Sequence, residues 1–351
     1  MSQNVTESRI RSCLGHALSD LSRNEQLAAA AEWGIRNEML MRRTLDLQLG
    51  LGASVAGVEA PTIRRRGREL AEGARLRGES AARGRGARPA VNWHEGGDGT
   101  PLLLLNGSSA SGLVWPEAWL RRLERRHRVI RIDNRGTGWS RSAPSPFTMA
   151  DLANDARDVL QANGIDRATV LGVSLGGMIA QELAVRHPAA VGRLVLVATR
   201  PPTPAHVPSP GVALLALMDQ PRGDSDLRAF FADMWSGLAA DGFATVHPEA
   251  MAEVAEQILR RMTPRRAVLN QARAVWSWHG PTRLRRIGAP TTVIHGNRDP
   301  LLPVGNGMRL ARLIPDADYV ELPGVGHLVP QEAGDALLQI LEGNANRPGT
   351  S

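Results

Sequence analysis

Cysteine and lysine are almost missing from this sequence of 351 residues, which contains Cys13 alone and no lysine. A single cysteine excludes an intramolecular disulfide. Residues 1–20 are polar and charged and lack the apolar core of a secretory signal peptide. No apolar run approaches the roughly 20 residues that a membrane-spanning helix needs. We therefore expect a cytoplasmic protein without a membrane partner.

The excess of positive charge is local. The formal net charge is +7, and residues 64–88 hold nine arginines against three glutamates, an excess of six positive charges. A nucleic-acid site of this kind would interleave aromatic residues with basic ones, and residues 64–88 contain no aromatic residue. We predict no nucleic-acid partner and interpret this stretch as part of a solvated, Arg- and Gly-rich linker.

Residues 1–85 are predicted to form a helical extension that ends in this linker. Leu14, Leu18 and Leu21 recur at helical spacing, and residues 28–51 are rich in Ala, Leu, Met and Arg. Apolar residues such as Trp33 and Met39 need burial. We therefore expect the extension to pack on the main domain or on a second subunit, as in a homodimer.

From residue 90 onward, strands and helices are predicted to alternate. Short apolar runs, typical of buried strands, occur at residues 101–105, 128–133, 170–173, 191–198, 291–295 and 319–322. Such alternation indicates an α/β fold with a mostly parallel central sheet flanked by helices, and a site outside the carboxyl ends of the strands. We assign residues 86–200 and 287–351 to this core.

The long gap between strands, residues 201–286, is predicted to be a helical cap over the site. It begins with a proline cluster and then becomes helical. A cap excludes water and shapes the pocket. Its large apolar side chains either line that pocket or only hold the cap together; the pocket candidates are Phe231, Trp235, Trp276 and Trp278.

Ser174 lies in a short pattern that is typical of a nucleophile elbow. Gly172 and Gly176 flank it in the form G-x-S-x-G, between a β-branched run and a helix predicted over residues 178–186. The N-terminal N–H groups of that helix would stabilise negative charge beside Ser174. A serine in an ordinary Gly-rich turn is the alternative, because so short a pattern also arises by chance.

Five motifs in order make residues 90–342 resemble the α/β-hydrolase fold. They are the Gly-containing turn after the strand at 101–105, D-x-R-G-x-G-x-S at 133–140, G-x-S-x-G at 172–176, H-G-x-x-D at 295–299 and G-x-G-H at 324–327. The resemblance implies a triad in the order nucleophile, acid, histidine, which Ser174, Asp299 and His327 fit. An acid after the strand that ends near residue 198 is not available, because only Thr199 and Arg200 follow it.

The resemblance also implies an oxyanion hole made by the backbone N–H groups of Leu175 and Ser108. Many relatives have His-Gly where this chain has Asn106 and Gly107, so the hydrogen bonds that support this loop must differ. Asp133 and His295 are interpreted as structural. The resemblance implies neither a metal nor a cofactor.

These features predict a serine hydrolase that acts on a small or medium apolar ester, lactone or thioester through an acyl-enzyme. Two alternatives stay open. The Arg-, Ala- and Gly-rich composition and the helical extension resemble hydrolase-fold proteins of actinobacterial polyketide pathways in antibiotic biosynthesis, including lyases that eliminate acetate from an acetylated tetronate. A non-catalytic ligand-binding protein on the same fold would require a broken triad, and no member is missing.

Overall fold

The computed structural model describes residues 89–141, 143–208 and 227–342. The predicted helical extension and linker, residues 1–85, lie outside these ranges. The strands are β1 (Trp93–Gly96), β2 (Thr100–Leu105), β3 (His127–Ile132), β4 (Ala168–Val173), β5 (Val191–Val197), β6 (Thr291–Gly296) and β7 (Asp318–Leu322).

The α-helices fall between these strands or follow the last one. They are α1 (Glu117–Leu123), α2 (Met149–Ala162), α3 (Leu175–Arg186), α4 (Leu227–Ser236), α5 (Phe243–Val246), α6 (Pro248–Arg260), α7 (Arg265–Trp276), α8 (Gly305–Leu313), α9 (Val329–Glu332) and α10 (Gly334–Leu341). Within the described ranges, no helix has both the length and the apolar character needed to cross a membrane.

The seven strands form one sheet in the order β1-β3-β2-β4-β5-β6-β7. Strand β1 runs antiparallel to β3, and all other neighbouring pairs are parallel. The mostly parallel sheet confirms the predicted fold class. Strand β1 was not predicted, because this polar strand at the sheet edge carries no apolar run.

The sheet is covered on both faces, and strand β2 shows why its sequence is continuously apolar. Leu103 and Leu105 belong to one core cluster, which also contains residues of α2, α3 and α8. Leu102 and Leu104 belong to the other, with residues of α1 and α10. All four leucines are fully buried. Successive side chains of a strand point to opposite faces, so a strand between two helical layers needs no polar position.

Helices α4 to α7 follow β5 and precede β6, inside the range predicted for the cap. Phe231 of α4 packs with Val254 and Ile258 of α6, and this cluster also contains Ala110 and Val114 from the segment after β2. The cap helices therefore rest on the carboxyl-end side of β2. That contact places them over the point where β2 and β4 end.

Candidate active site

Ser174 occupies a strained turn between β4 and α3. Its φ of 54° and ψ of −117° lie where residues with a Cβ atom are rarely found. Hydrogen bonds to the neighbouring strand hold this conformation: the Ser174 N–H donates to the Val197 carbonyl at 3.0 Å, and the Thr199 hydroxyl donates to the Ser174 carbonyl at 2.6 Å. The serine is therefore fixed at the carboxyl end of the sheet.

The two glycines of the G-x-S-x-G pattern are required by the packing around this turn. A Cβ atom on Gly172 would lie 2.3 Å from the Gly176 carbonyl oxygen, and one on Gly176 would lie 2.0 Å from the Leu105 carbonyl oxygen. Both distances are shorter than any tolerable contact, and the colliding atoms belong to backbone that cannot swing away. The nucleophile-elbow interpretation therefore has a steric basis in this structure.

Asp299 and His327 form a hydrogen-bonded pair at the ends of β6 and β7. The His327 Nδ1 atom lies 2.7 Å from Asp299 Oδ2. The other carboxylate oxygen, Oδ1, accepts hydrogen bonds from the N–H groups of Leu301 and Leu302 at 2.8 Å each. His295 Nε2 lies 3.2 Å from Oδ2. The carboxylate is thus held from three directions.

These partners keep Asp299 ionised although its side chain is fully buried. Burial alone would raise the pKa of Asp299, but the charge on His327 and the hydrogen bonds from His295 and His327 outweigh it. The pKa of Asp299 therefore lies well below its ordinary value. An ionised carboxylate on Nδ1 orients the ring and leaves Nε2 of His327 for proton transfer.

Ser174 and His327 line one cavity under the cap. No Asp, Glu or Arg lines it in the described part of the chain, and most of its wall is apolar. Its lining comprises Asn106, Gly107, Ser108, Ala110, Val114, Trp115, Val173, Ser174, Trp235, Leu238, Leu301, His327, Leu328, Pro330 and Gln331. This wall suits an uncharged, largely apolar ligand.

The loop after β2 runs beside Ser174. A Cβ atom on Gly107 would lie 3.5 Å from the Ser174 Cβ atom. Asn106 anchors the loop, because its Nδ2 donates to the Ile132 carbonyl at 2.9 Å and its own carbonyl accepts from Asn134 Nδ2 at 3.3 Å. We expected the hydrogen bonds that support this loop to differ from those of relatives with His-Gly in this place. In this chain, Asn106 makes them. Among the described residues, the backbone N–H groups of Ser108 and Leu175 have no acceptor.

The model of the alpha/beta hydrolase fold family matches residues 100–333. The chain belongs to the α/β-hydrolase family. A protein of Variovorax paradoxus named for carbamate hydrolysis, RutD, is 31% identical over 237 residues, which cover 67% of this chain and 87% of the relative. Rhodomycin D methylesterase DauP of a Streptomyces species is 30% identical over 275 residues, covering 68% and 89%.

Solved structures show the same similarity. A hydrolase from Pseudomonas aeruginosa PA01 is 28% identical with a TM-score of 0.61, covering 72% of this chain and 93% of its own. The enol-lactonase of Burkholderia xenovorans LB400 shares the fold with a TM-score of 0.62 at 23% identity, covering 72% and 95%. Together with the family match, these relatives show that this α/β-hydrolase is an esterase-like enzyme.

Two of the four predicted pocket residues of this hydrolase do not line the cavity beside Ser174. Trp278 is buried in the core, where its Nε1 donates to Glu182 at 2.9 Å. Trp276 is the last residue of α7 and is not part of the cavity wall. Helical patterning identified both as apolar, but it could not tell which side chains face the cavity, and the structure does not place these two in its wall.

The other two candidates lie close to the cavity. Trp235 lines it beside Leu238. Phe231 lines a smaller neighbouring cavity, which Trp235 shares, and packs within the cap. Asp133 is structural as interpreted, because its carboxylate accepts from the N–H groups of Gly112 and Trp139 at 2.7 and 2.8 Å.

Sequence reasoning missed two polar residues that hold the α/β-hydrolase site together. Glu332 accepts from the N–H groups of Gly326 and Leu328, on either side of His327, and from that of Ala240 in the cap. Gln271 of α7 contacts the loop at Ser108. Neither stands in a motif, so no local signal marked them. Over the described ranges, no cluster of three or more His, Cys, Asp or Glu could hold a metal ion.

Proposed function

We propose that this enzyme hydrolyses uncharged esters, lactones or thioesters of small or medium size through an acyl-enzyme on Ser174. The observation that carries the proposal is that a strained, fixed serine shares one cavity with a histidine whose ring is oriented by an ionised carboxylate. That arrangement supplies the nucleophile, base and orienting acid of acyl transfer.

Each group has a role in the proposed reaction. His327 Nε2 takes the proton from Ser174 Oγ as this oxygen attacks the carbonyl carbon of the substrate. Asp299 stabilises the resulting imidazolium without taking its proton. The negative oxygen of the tetrahedral intermediate accepts hydrogen bonds from the N–H groups of Leu175 and Ser108.

The second half of the reaction reverses these proton transfers. His327 gives its proton to the leaving alcohol or thiol as the intermediate collapses to the acyl-enzyme. A water molecule then loses a proton to His327 and attacks the acyl carbon. Ser174 leaves with that proton, and the acid is released. No metal or cofactor enters any of these steps.

The composition of the cavity wall supports the proposal of an uncharged substrate. A carboxylate or phosphate buried against Val114, Val173 and Leu238 would lose its hydration without gaining a cationic partner from the described wall. The similarity to rhodomycin D methylesterase supports testing methyl esters of polyketide-type products beside simple esters.

A matched pair of esters tests this proposal. p-Nitrophenyl butyrate and the p-nitrophenyl monoester of succinic acid differ chiefly by a terminal charge. We expect kcat/KM to be at least about tenfold higher for the neutral ester, since burying an unpaired charge is costly. Activity must disappear in Ser174→Ala. An equal preference for the anionic ester, or activity that survives in Ser174→Ala, would overturn the proposal.

Elimination is the outcome that would replace hydrolysis. Turnover in heavy-oxygen water places the label in the released acid when water resolves an acyl-enzyme. Elimination by carbon–oxygen cleavage instead releases unlabelled acid and leaves a new double bond in the larger fragment. We expect the label in the acid.

A further inference from the structure

The segment that carries one proposed oxyanion donor, Ser108, is held by two residues of the cap. Gln271 Oε1 accepts from the Ser108 hydroxyl at 3.1 Å and from the Ser109 N–H at 2.9 Å. The Thr263 hydroxyl donates to the Ser109 carbonyl at 2.9 Å. Both backbone polar groups of Ser109 are therefore bonded by side chains that lie more than 150 positions further along the sequence.

The backbone of Ser109 needs such support. Its φ of 61° lies in the left-handed region, which a residue with a Cβ atom seldom adopts without external contacts. The bonds from Gln271 and Thr263 fix the peptides on both sides of Ser109. The bond to the Ser108 hydroxyl fixes the preceding side chain as well. Together they leave the direction of the Ser108 N–H little freedom.

A purely structural role explains Gln271 poorly. Its side chain is fully buried, yet its Nε2 has no hydrogen-bond partner among the described residues. Burying an amide with its NH₂ unpaired costs free energy that an apolar side chain of the same length would not. The benefit visible in the structure is the contact of Oε1 with Ser108 and Ser109.

We infer that Gln271 is a positioning residue, through which the cap holds the Ser108 N–H in place to stabilise the oxyanion. The inference rests on the proposed function, because it concerns the same reaction. It gives the cap a part in assembling the catalytic site in addition to covering it. Gln271 itself is not part of the cavity wall, so its loss should affect kcat and leave KM nearly unchanged.

The principal test compares Gln271→Met with Gln257→Met. The second variant makes the same chemical change on cap helix α6, at a side chain whose Oε1 has no partner among the described residues. For Gln271→Met we expect kcat on p-nitrophenyl butyrate to fall about 10- to 100-fold, with KM within about twofold, since one misaligned oxyanion donor has effects of this order. For Gln257→Met we expect both parameters to stay within about twofold of wild type.

A boronic acid provides an independent measure of the oxyanion hole, because it forms a tetrahedral adduct with the serine. We expect phenylboronic acid to bind Gln271→Met more weakly by about the factor lost in kcat. Neutral butanol, a product-like ligand, should inhibit both proteins equally. A loss of the same size for both ligands would show a general disturbance of the cavity and overturn the inference.

A double-mutant cycle tests whether Gln271 affects kcat through its bond to Ser108. Ser108→Ala removes the hydroxyl that donates to Gln271 and should lower kcat about threefold in the wild-type background. In the Gln271→Met background the same change should have little further effect, because the bond is already gone. Fully additive losses would contradict positioning through Ser108.

If Gln271→Met shows no cooperative thermal transition, it is not folded and cannot be used. The variants Thr263→Val and Ser108→Ala then replace it in the test. Each removes one bond of the same support, and we expect a three- to tenfold lower kcat at unchanged KM. If the wild type is active and kcat is unchanged in these variants, the inference is overturned but the proposed function is not. A wild type that neither hydrolyses the ester nor reacts with a fluorophosphonate at Ser174 would overturn the proposed function and this inference with it.

Discussion

His327 Nδ1 lies 2.7 Å from Asp299 Oδ2, although the two residues follow different strands and stand 28 positions apart in the sequence. The same carboxylate oxygen lies 3.2 Å from His295 Nε2. Asp299 is therefore shared between the proposed base and a buried histidine of β6. The first two predictions follow from this shared carboxylate.

Asp299→Asn should lower kcat by about 10³- to 10⁴-fold while the protein stays folded. An amide in this place can present its NH₂ group to Nδ1, which favours the tautomer with its proton on Nε2, where the proton of Ser174 must be accepted. Ester hydrolysis together with circular dichroism measures both properties. Ser174→Ala and His327→Ala should be at least as damaging, since the three residues act as a unit.

Asp133→Asn is the matched control for this change. Asp133 is also a fully buried carboxylate after a strand, but it accepts from the N–H groups of Gly112 and Trp139 and not from His327. We expect lower stability, with kcat of the folded protein within about threefold of wild type. A loss of kcat equal to that of Asp299→Asn would move the catalytic acid to Asp133.

The ionised Asp299 should also make stability depend on pH. Its folded pKa lies below the ordinary value of 3.8, so the carboxylate contributes its full stability above that value, and the contribution is lost as the pH falls through the folded pKa. Urea unfolding of wild type and Asp299→Asn between pH 7 and pH 3 measures the difference in free energy. We expect this difference to shrink as the pH falls below about 4. A difference that stays constant down to pH 3 would contradict this assignment.

The sequence predicts those features of the fold and site that depend on residues close together in the chain. The elbow at Ser174 was predictable because its two glycines stand within five residues in one short pattern, although the atom that excludes a side chain at Gly176, the Leu105 carbonyl oxygen, lies on β2. The strands β2 and β5 were predictable because burial on two faces makes most positions of each run apolar. The proposed triad of Ser174, Asp299 and His327 came from the resemblance to the α/β-hydrolase fold, whose order of nucleophile, acid and histidine these residues fit.

The features that escaped prediction depend on contacts between distant parts of the chain. Gln271 and Glu332 are single polar residues on helices, and only the tertiary structure shows that they meet the loops at Ser108 and His327. Trp278 and Trp235 have similar local patterns, yet one faces the core and the other the cavity. Periodicity records that a side chain is apolar but not which neighbour it meets.

Gly176→Ala should strongly destabilise the fold. The added Cβ would lie 2.0 Å from the Leu105 carbonyl oxygen, where two strands and a helix fix the backbone. We expect a loss of stability of about 3 kcal/mol or more, at the upper end of what overpacking costs. Gly288→Ala is the control, because a Cβ there meets nothing within 4 Å. Thermal melting should separate the two variants, and equal melting temperatures would show that the elbow tolerates a side chain.

Trp235 and Trp278 should respond differently to substitution. Trp235→Ala opens the cavity wall, so we expect KM for an apolar ester to rise about tenfold in the folded protein. Trp278→Phe removes the buried bond to Glu182 and should cost about 1–3 kcal/mol of stability with KM unchanged. The opposite pattern, with KM affected only by Trp278→Phe, would place the substrate elsewhere.

The central claim, an acyl-enzyme on Ser174, is tested most directly by rapid acid quench of the enzyme with p-nitrophenyl butyrate, followed by peptide mass spectrometry. A butyryl group should appear on the peptide that contains Ser174 within the burst of p-nitrophenol, and it should be absent from Ser174→Ala. Steady turnover during which every Ser174 peptide remains unmodified, or a butyryl group on another residue that decays at the turnover rate, would contradict it.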